Sequence, residues 1–176
     1  MEEQKPASLL KSSVVSGIYI GIVLILISVV MYVTNNMFAT WASYITYPIL
    51  IAGIVYAQLN FRKSLGGEMT YGQALGVGIL ALVFASIVSG IYTYLMYAII
   101  DPSLQEQLRI VSEQKIIEKG TVPEEQLDMV MEMTAKFQKP AVLAVMGILG
   151  GAFFGLIISL ITAIFTKKNP SDEIPE

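Results

Sequence analysis

The polar residues best placed for chemistry lie close together in one stretch. Gln58, Asn60, Arg62, Glu68 and Gln73 supply a guanidinium, a carboxylate and three amides. Such a set can form a hydrogen-bonded hinge that anchors membrane spans at the water boundary, or it can hold a polar ligand there. The hinge is the favoured reading, because groups of this kind commonly anchor spans at the interface. Further along, Glu125, Asp128 and Glu132 share a helical face. Hard cations prefer carboxylate oxygens, but no loop of alternating acidic residues with a glycine accompanies them, so a solvated face is expected. Met129, Met131 and Met133 could form an adaptable apolar surface. Alternate positions do not share a helical face, so packing by Met131 is the simpler expectation.

Other chemistry is excluded early. The chain has no cysteine and no histidine, which removes disulfides, thiol catalysis, haem attachment and zinc sites built on those residues. Ser12 and Ser13 beside Lys11 do not make a nucleophile–base pair without a buried amine and an oxyanion site. No glycine-rich phosphate loop is present. Catalytic residues, cofactors and metals are therefore not expected, and neither is an enzyme. The net charge of −3 comes with no basic tract, so nucleic acid is not an expected partner.

The elements that position the polar residues follow from where charge is missing. Of the 176 residues, 55% are hydrophobic and 14% charged, against about 25% charged in ordinary soluble domains. No Asp, Glu, Lys or Arg occurs between Lys11 and Arg62, between Glu68 and Asp101, or between Lys139 and Lys167. A spanning helix needs about 20 apolar residues. The first gap holds two, divided by a turn at Asn35-Asn36, and the others hold one each. The spans are expected at 13–34, 40–61, 71–100 and 140–166, with Pro48 kinking the second. The first run is too long for a signal peptide and lacks a good cleavage site.

The fold class is thus all-α: a polytopic membrane protein of one domain over 1–176, with four transmembrane helices. An extramembrane helical hairpin at 101–139 separates the third from the fourth, and a flexible tail is expected at 167–176. Asp101 and Pro102 read as the hairpin start, N-cap and first helical position. Leu104, Leu108 and Val111 make one apolar stripe, and Leu127, Val130, Met131, Thr134 and Phe137 make the other. Gly120 ends the first helix and Pro123 opens the second.

Small residues mark where spans approach each other. The last span carries Gly147, Gly151, Gly155, Ser159 and Ala163 at intervals of four; the first carries Ser13, Gly17 and Gly21; the third carries Gly78, Ala81, Ala85 and Ser89. Packing within one chain is the expectation, with a dimer seam on the last helix as the rival. Tyr19, Tyr32, Tyr44, Tyr47, Tyr56, Tyr92, Tyr94 and Tyr97 read as an aromatic belt. No ionisable residue lies in the span cores, so proton relays and voltage sensing are disfavoured.

Lys5, Lys11, Arg62, Lys63, Lys167 and Lys168 fall on the side of both termini, and Arg109, Lys115, Lys119, Lys136 and Lys139 on the other. The denser first group favours cytoplasmic termini. The stretch from Asn60 to Gly78, with Gly66-Gly67, Thr70-Tyr71-Gly72 and Gly76, and the later Ile100-Asp101-Pro102, resembles a bacterial membrane family known as domain of unknown function 4199. The resemblance implies this architecture and an inner-membrane address, and no activity. Function is then expected to be that of a structural or accessory membrane component, working through helix packing and the hairpin. Its partners would be the lipid bilayer and either a second copy or another membrane protein. A small transporter or channel component, and a membrane enzyme subunit on lipid-linked substrates, are the rivals.

Overall fold

The computed structural model describes residues 8–120 and 122–168. In chain order they form α1 (Leu9–Val33), α2 (Thr40–Ser64), α3 (Tyr71–Leu95), α4 (Ser103–Lys119), α5 (Glu124–Phe137) and α6 (Pro140–Thr166), with a π-helical turn, Met96–Ile100, closing α3. Four of these are long and apolar enough to cross a membrane: α1, α2, α3 with its π turn, and α6. The architecture is that of an all-α polytopic membrane protein. The first span starts at Leu9 rather than residue 13, and the second runs on to Ser64 with Pro48 inside it. Lys5 and the tail residues 169–176 lie outside the described residues.

Local chemistry sets the helix ends. After α1, Asn35 adopts a left-handed conformation (φ 55°), which asparagine tolerates better than most side chains. The next N–H, from Asn36, returns to the Met31 carbonyl at 2.8 Å. Gly66 and Gly67 take φ values of 83° and 104° between α2 and α3, where a Cβ would be strained. Thr70 and Gln73 then cap α3 reciprocally. The Thr70 N–H donates to Gln73 Oε1 (2.9 Å), and the Gln73 N–H donates to Thr70 Oγ1 (3.3 Å), as in a capping box.

The chain divides into two units. The first holds the residues up to Val88 and from Ile148 onward, and the second is Ser89–Gly147. In the first unit the α3 segment is the hub: Ala74, Val77, Ala81, Leu82 and Ala85 are almost wholly buried. A Cβ on Gly17 of α1 would lie 2.6 Å from the Ala81 carbonyl oxygen, and one on Gly21 would lie 2.9 Å from Val88 Cβ. From the other side, a Cβ on Gly151 of α6 would collide with Ser86, and one on Gly155 would lie 3.1 Å from Leu82 Cβ. Lipid tails are as apolar as leucine, so close contact and polar bonds, rather than burial from water, hold such helices together. Ser13 and Ala85 are fully buried in this packing. Gly147, at the other end of the glycine stripe, falls in the second unit, and a Cβ there has no described neighbour within 4 Å.

The second unit contains the hairpin. Gly120 ends α4 in a left-handed conformation (φ 58°), the usual role of glycine after a helix. Helix α4 starts at Ser103, so Pro102 precedes it instead of occupying its first position. Asp101 still satisfies the helix start, because its Oδ1 accepts the Ser103 N–H at 3.1 Å. Leu104 is buried, while Leu108, Val111, Leu127, Val130, Met131 and Thr134 are half-buried. Gln138 Nε2 donates to Ser112 Oγ at 2.7 Å. Phe137 departs from the inner stripe: it is exposed, in step with Met129 and Met133 at intervals of four. The π turn is fixed by the Asp101 N–H, which reaches back to the Met96 carbonyl at 2.9 Å.

Candidate functional site

Two polar residues of α2, Gln58 and Arg62, converge on the C-terminal end of α6. Gln58 projects from α2 into the core and is fully buried. Its Nε2 donates to the Ala74 carbonyl of α3 (3.1 Å). The Thr166 hydroxyl lies 3.0 Å from both Gln58 Oε1 and the Thr162 carbonyl, sharing its proton between them. One amide thus ties α2 to both α3 and α6. One turn further along α2, Arg62 Nη1 donates to the Thr166 carbonyl at 3.0 Å. The end of a helix leaves its last carbonyls unpaired and carries partial negative charge, so a guanidinium there supplies both a donor and a favourable charge.

The backbone closes the arrangement. Met69, buried in the α2–α3 turn, exchanges hydrogen bonds with Lys168: the Met69 N–H donates to the Lys168 carbonyl (2.8 Å), and the Lys168 N–H donates to the Met69 carbonyl (2.9 Å). Tyr71 Oη adds a bond to the Leu160 carbonyl (3.1 Å). Ser159 and Thr162 are buried nearby, with hydroxyls that make no hydrogen bond among the described residues. Together these groups form a latch that fastens the ends of α2 and α6 to the start of α3.

A family model described as protein of unknown function, DUF4199, matches residues 16–168. The chain belongs to this family. Comparisons with curated proteins and with solved structures give no match. The matched stretch contains every residue of the latch, from Gln58 to Lys168.

In this family member the five polar residues singled out by spacing have different fates. Gln58 and Arg62 meet at Thr166, and Gln73 serves the cap of α3. Asn60 and Glu68 are exposed and stand outside the latch. Of the small residues, Gly78 sits against Ser159, Gln58 and Ile54, so that Ser159 packs at the latch itself. Sequence reasoning missed Thr162, Thr166, Met69 and Lys168. The first two had a legible signal: Ser159, Thr162 and Thr166 recur at helical spacing on one face of α6. The backbone pairing of Met69 with Lys168 had none.

Charge in the second unit is organised separately. Arg109 forms a two-point pair with Glu106 (Nη2–Oε1 2.7 Å, Nε–Oε2 3.0 Å) and reaches Glu113 at 3.2 Å. The hydrogen bond from Arg109 holds the Glu106 carboxyl below its ordinary range, and the same contact raises the Arg109 guanidinium. No group of three His, Cys, Asp or Glu side chains suited to a metal ion occurs among the described residues.

Proposed function

We propose that this protein is a structural or accessory component of a bacterial inner membrane, with cytoplasmic termini, that recruits a second membrane protein through the outer face of its 101–139 hairpin. The observation that carries this reading is the apolar exposure outside the spans. Met129, Met133 and Phe137 stand in line along α5, more than half exposed, and Ile110 and Ile117 are exposed on α4. An extramembrane helix that already has an apolar inner stripe gains nothing in folding from a second one. Contiguous apolar surface of this kind marks interaction sites, and methionine adapts its shape to a partner. The reading assigns no catalytic role to any residue.

The test places a photo-crosslinking amino acid at Met129, Met133 or Phe137 and irradiates native membranes, followed by mass spectrometry of the products. The expected result is one reproducible heteromeric product from all three positions, lost on Met133→Asp. Products between copies of this chain alone would replace the accessory reading with a homo-oligomer. Lipid adducts alone would assign the face to the membrane surface.

A further inference from the structure

Two tyrosines in the first unit lie too deep for an aromatic belt. Helices α1 and α2 each have 25 residues. At about 1.5 Å per residue each is about 37 Å long, against a hydrocarbon layer of about 30 Å. Centred on upright helices, that layer begins about 4 Å in from each helix end. Tyr32 and Tyr44, near the α1–α2 turn, suit the boundary. Tyr19 lies about 15 Å along the axis from Leu9, and Tyr56 about 12 Å from Ser64. Both phenols are therefore held within the hydrocarbon, where no water can hydrogen-bond to them. Tyr19 is 59% and Tyr56 53% exposed, and neither hydroxyl has a hydrogen-bond partner among the described residues.

The same two residues flank a groove. It measures about 410 Å³ and is otherwise lined by Ile20, Val23, Ile49, Ala52 and Gly53. Helices α1 and α2 come together at its base, where a Cβ on Gly53 would lie 2.9 Å from Ile20 Cγ1. The volume falls in the range of small-molecule sites, about 300–1,000 Å³. An unmet polar group in hydrocarbon is costly, so the groove combines an apolar bed with hydrogen-bond donors that seek acceptors. A plain acyl chain would fill the bed and leave both donors unmet.

We propose that this groove binds a lipid-soluble carbonyl compound with the chemistry of an isoprenoid quinone. Its ring carbonyls accept hydrogen bonds from Tyr19 and Tyr56, and its apolar portion lies along Val23, Ile49 and Ala52. The polar complementarity at hydrocarbon depth selects this occupant over a phospholipid tail. The inference concerns binding, not electron transfer, and it is independent of the hairpin and its partner.

The full chain in lipid nanodiscs would be titrated with an azido derivative of decylubiquinone and irradiated, and the labelled peptides identified. Labelling confined to α1 and α2 around Tyr19 and Tyr56 is expected, with competition by unmodified decylubiquinone. Tyr19→Phe with Tyr56→Phe preserves the groove and removes the donors, so half-saturation should rise on the order of tenfold or more. Ala52→Leu, at an exposed position, should abolish labelling by filling the groove. The proposal is overturned if the double phenylalanine variant labels like the parent, if an azido-alkylbenzene without carbonyls competes equally well, or if irradiation yields only phospholipid adducts or links between copies. Should Ala52→Leu fail to insert, the phenylalanine pair decides alone.

Discussion

The Thr166 hydroxyl donates to Gln58 Oε1 across 3.0 Å, joining residues 108 positions apart in the chain. Both side chains are buried, Gln58 completely, and Gln58 spends its other amide atom on the Ala74 carbonyl. The ends of α2 and α6 are thereby held by side chains that have no water to turn to.

This pairing predicts a measurable coupling. Thr166→Val leaves Gln58 Oε1 unpaired and should cost about 1–3 kcal/mol, the usual penalty for a stranded buried acceptor. Combined with Gln58→Leu in a double-mutant cycle, the interaction energy should be about 0.6 kcal/mol and no more than about 1.7, the range for bonds between membrane helices. Steric-trap unfolding in bicelles gives the four stabilities. Strict additivity would refute the latch.

Arg62 acts on the backbone of the same helix end. Arg62→Ala should speed amide hydrogen exchange at Lys167, Lys168 and Met69 while leaving the middle of α6 protected. Removing a charged hydrogen bond and its helix-end charge should cost about 1–3 kcal/mol locally. Unchanged exchange at Lys168 would show that the Met69 pairing holds the end unaided.

The glycine stripe of α6 should be unequal in its tolerance. Gly151→Leu drives a side chain into Ser86, and Gly155→Leu does the same to Leu82; overpacking of this kind costs about 1–3 kcal/mol or more. A Cβ on Gly147 has no described neighbour within 4 Å, so Gly147→Leu should leave melting of the folded protein in mild detergent unchanged. Equal damage from Gly147→Leu and Gly151→Leu would mean that the stripe packs as a whole elsewhere, as a dimer seam requires.

In the hairpin the pH dependence has a definite sign. The Glu106 carboxyl is held below its ordinary value of 4.5, first by its hydrogen bond from Arg109. Its contribution to α4 is therefore present above 4.5 and lost as pH falls through the lowered folded value. An NMR titration should place the Glu106 carboxyl midpoint below that of the Arg109→Gln variant. Coincident midpoints would show the pair to be absent in solution. Both side chains are about half exposed, and screening by solvent makes the effect on overall stability small.

Much of the fold is legible in one sequence because hydrocarbon is intolerant. A spanning helix cannot hide a charge, so the gaps bounded by Lys11, Arg62, Glu68, Asp101, Lys139 and Lys167 mark the spans. Asn35, Gly66, Gly67 and Gly120 are legible for a second reason: each takes a backbone conformation that few side chains accept. The π turn at Met96–Ile100 was not legible, because one extra residue in a helical turn leaves the composition of an apolar stretch unchanged.

Residue type and spacing by themselves determined an all-α chain with four apolar spans and a polar hairpin, and they nominated the small residues and the Gln58–Gln73 stretch. Only the tertiary structure decided which of these meet. It put Gly17 and Gly151 against α3, left Gly147 open, and drew Gln58 and Arg62 to Thr166 while Asn60 and Glu68 stayed outside. Periodicity reports which residues share a face, but a face does not name its neighbour. In a membrane that choice depends on close packing and on hydrogen bonds between residues distant in the chain.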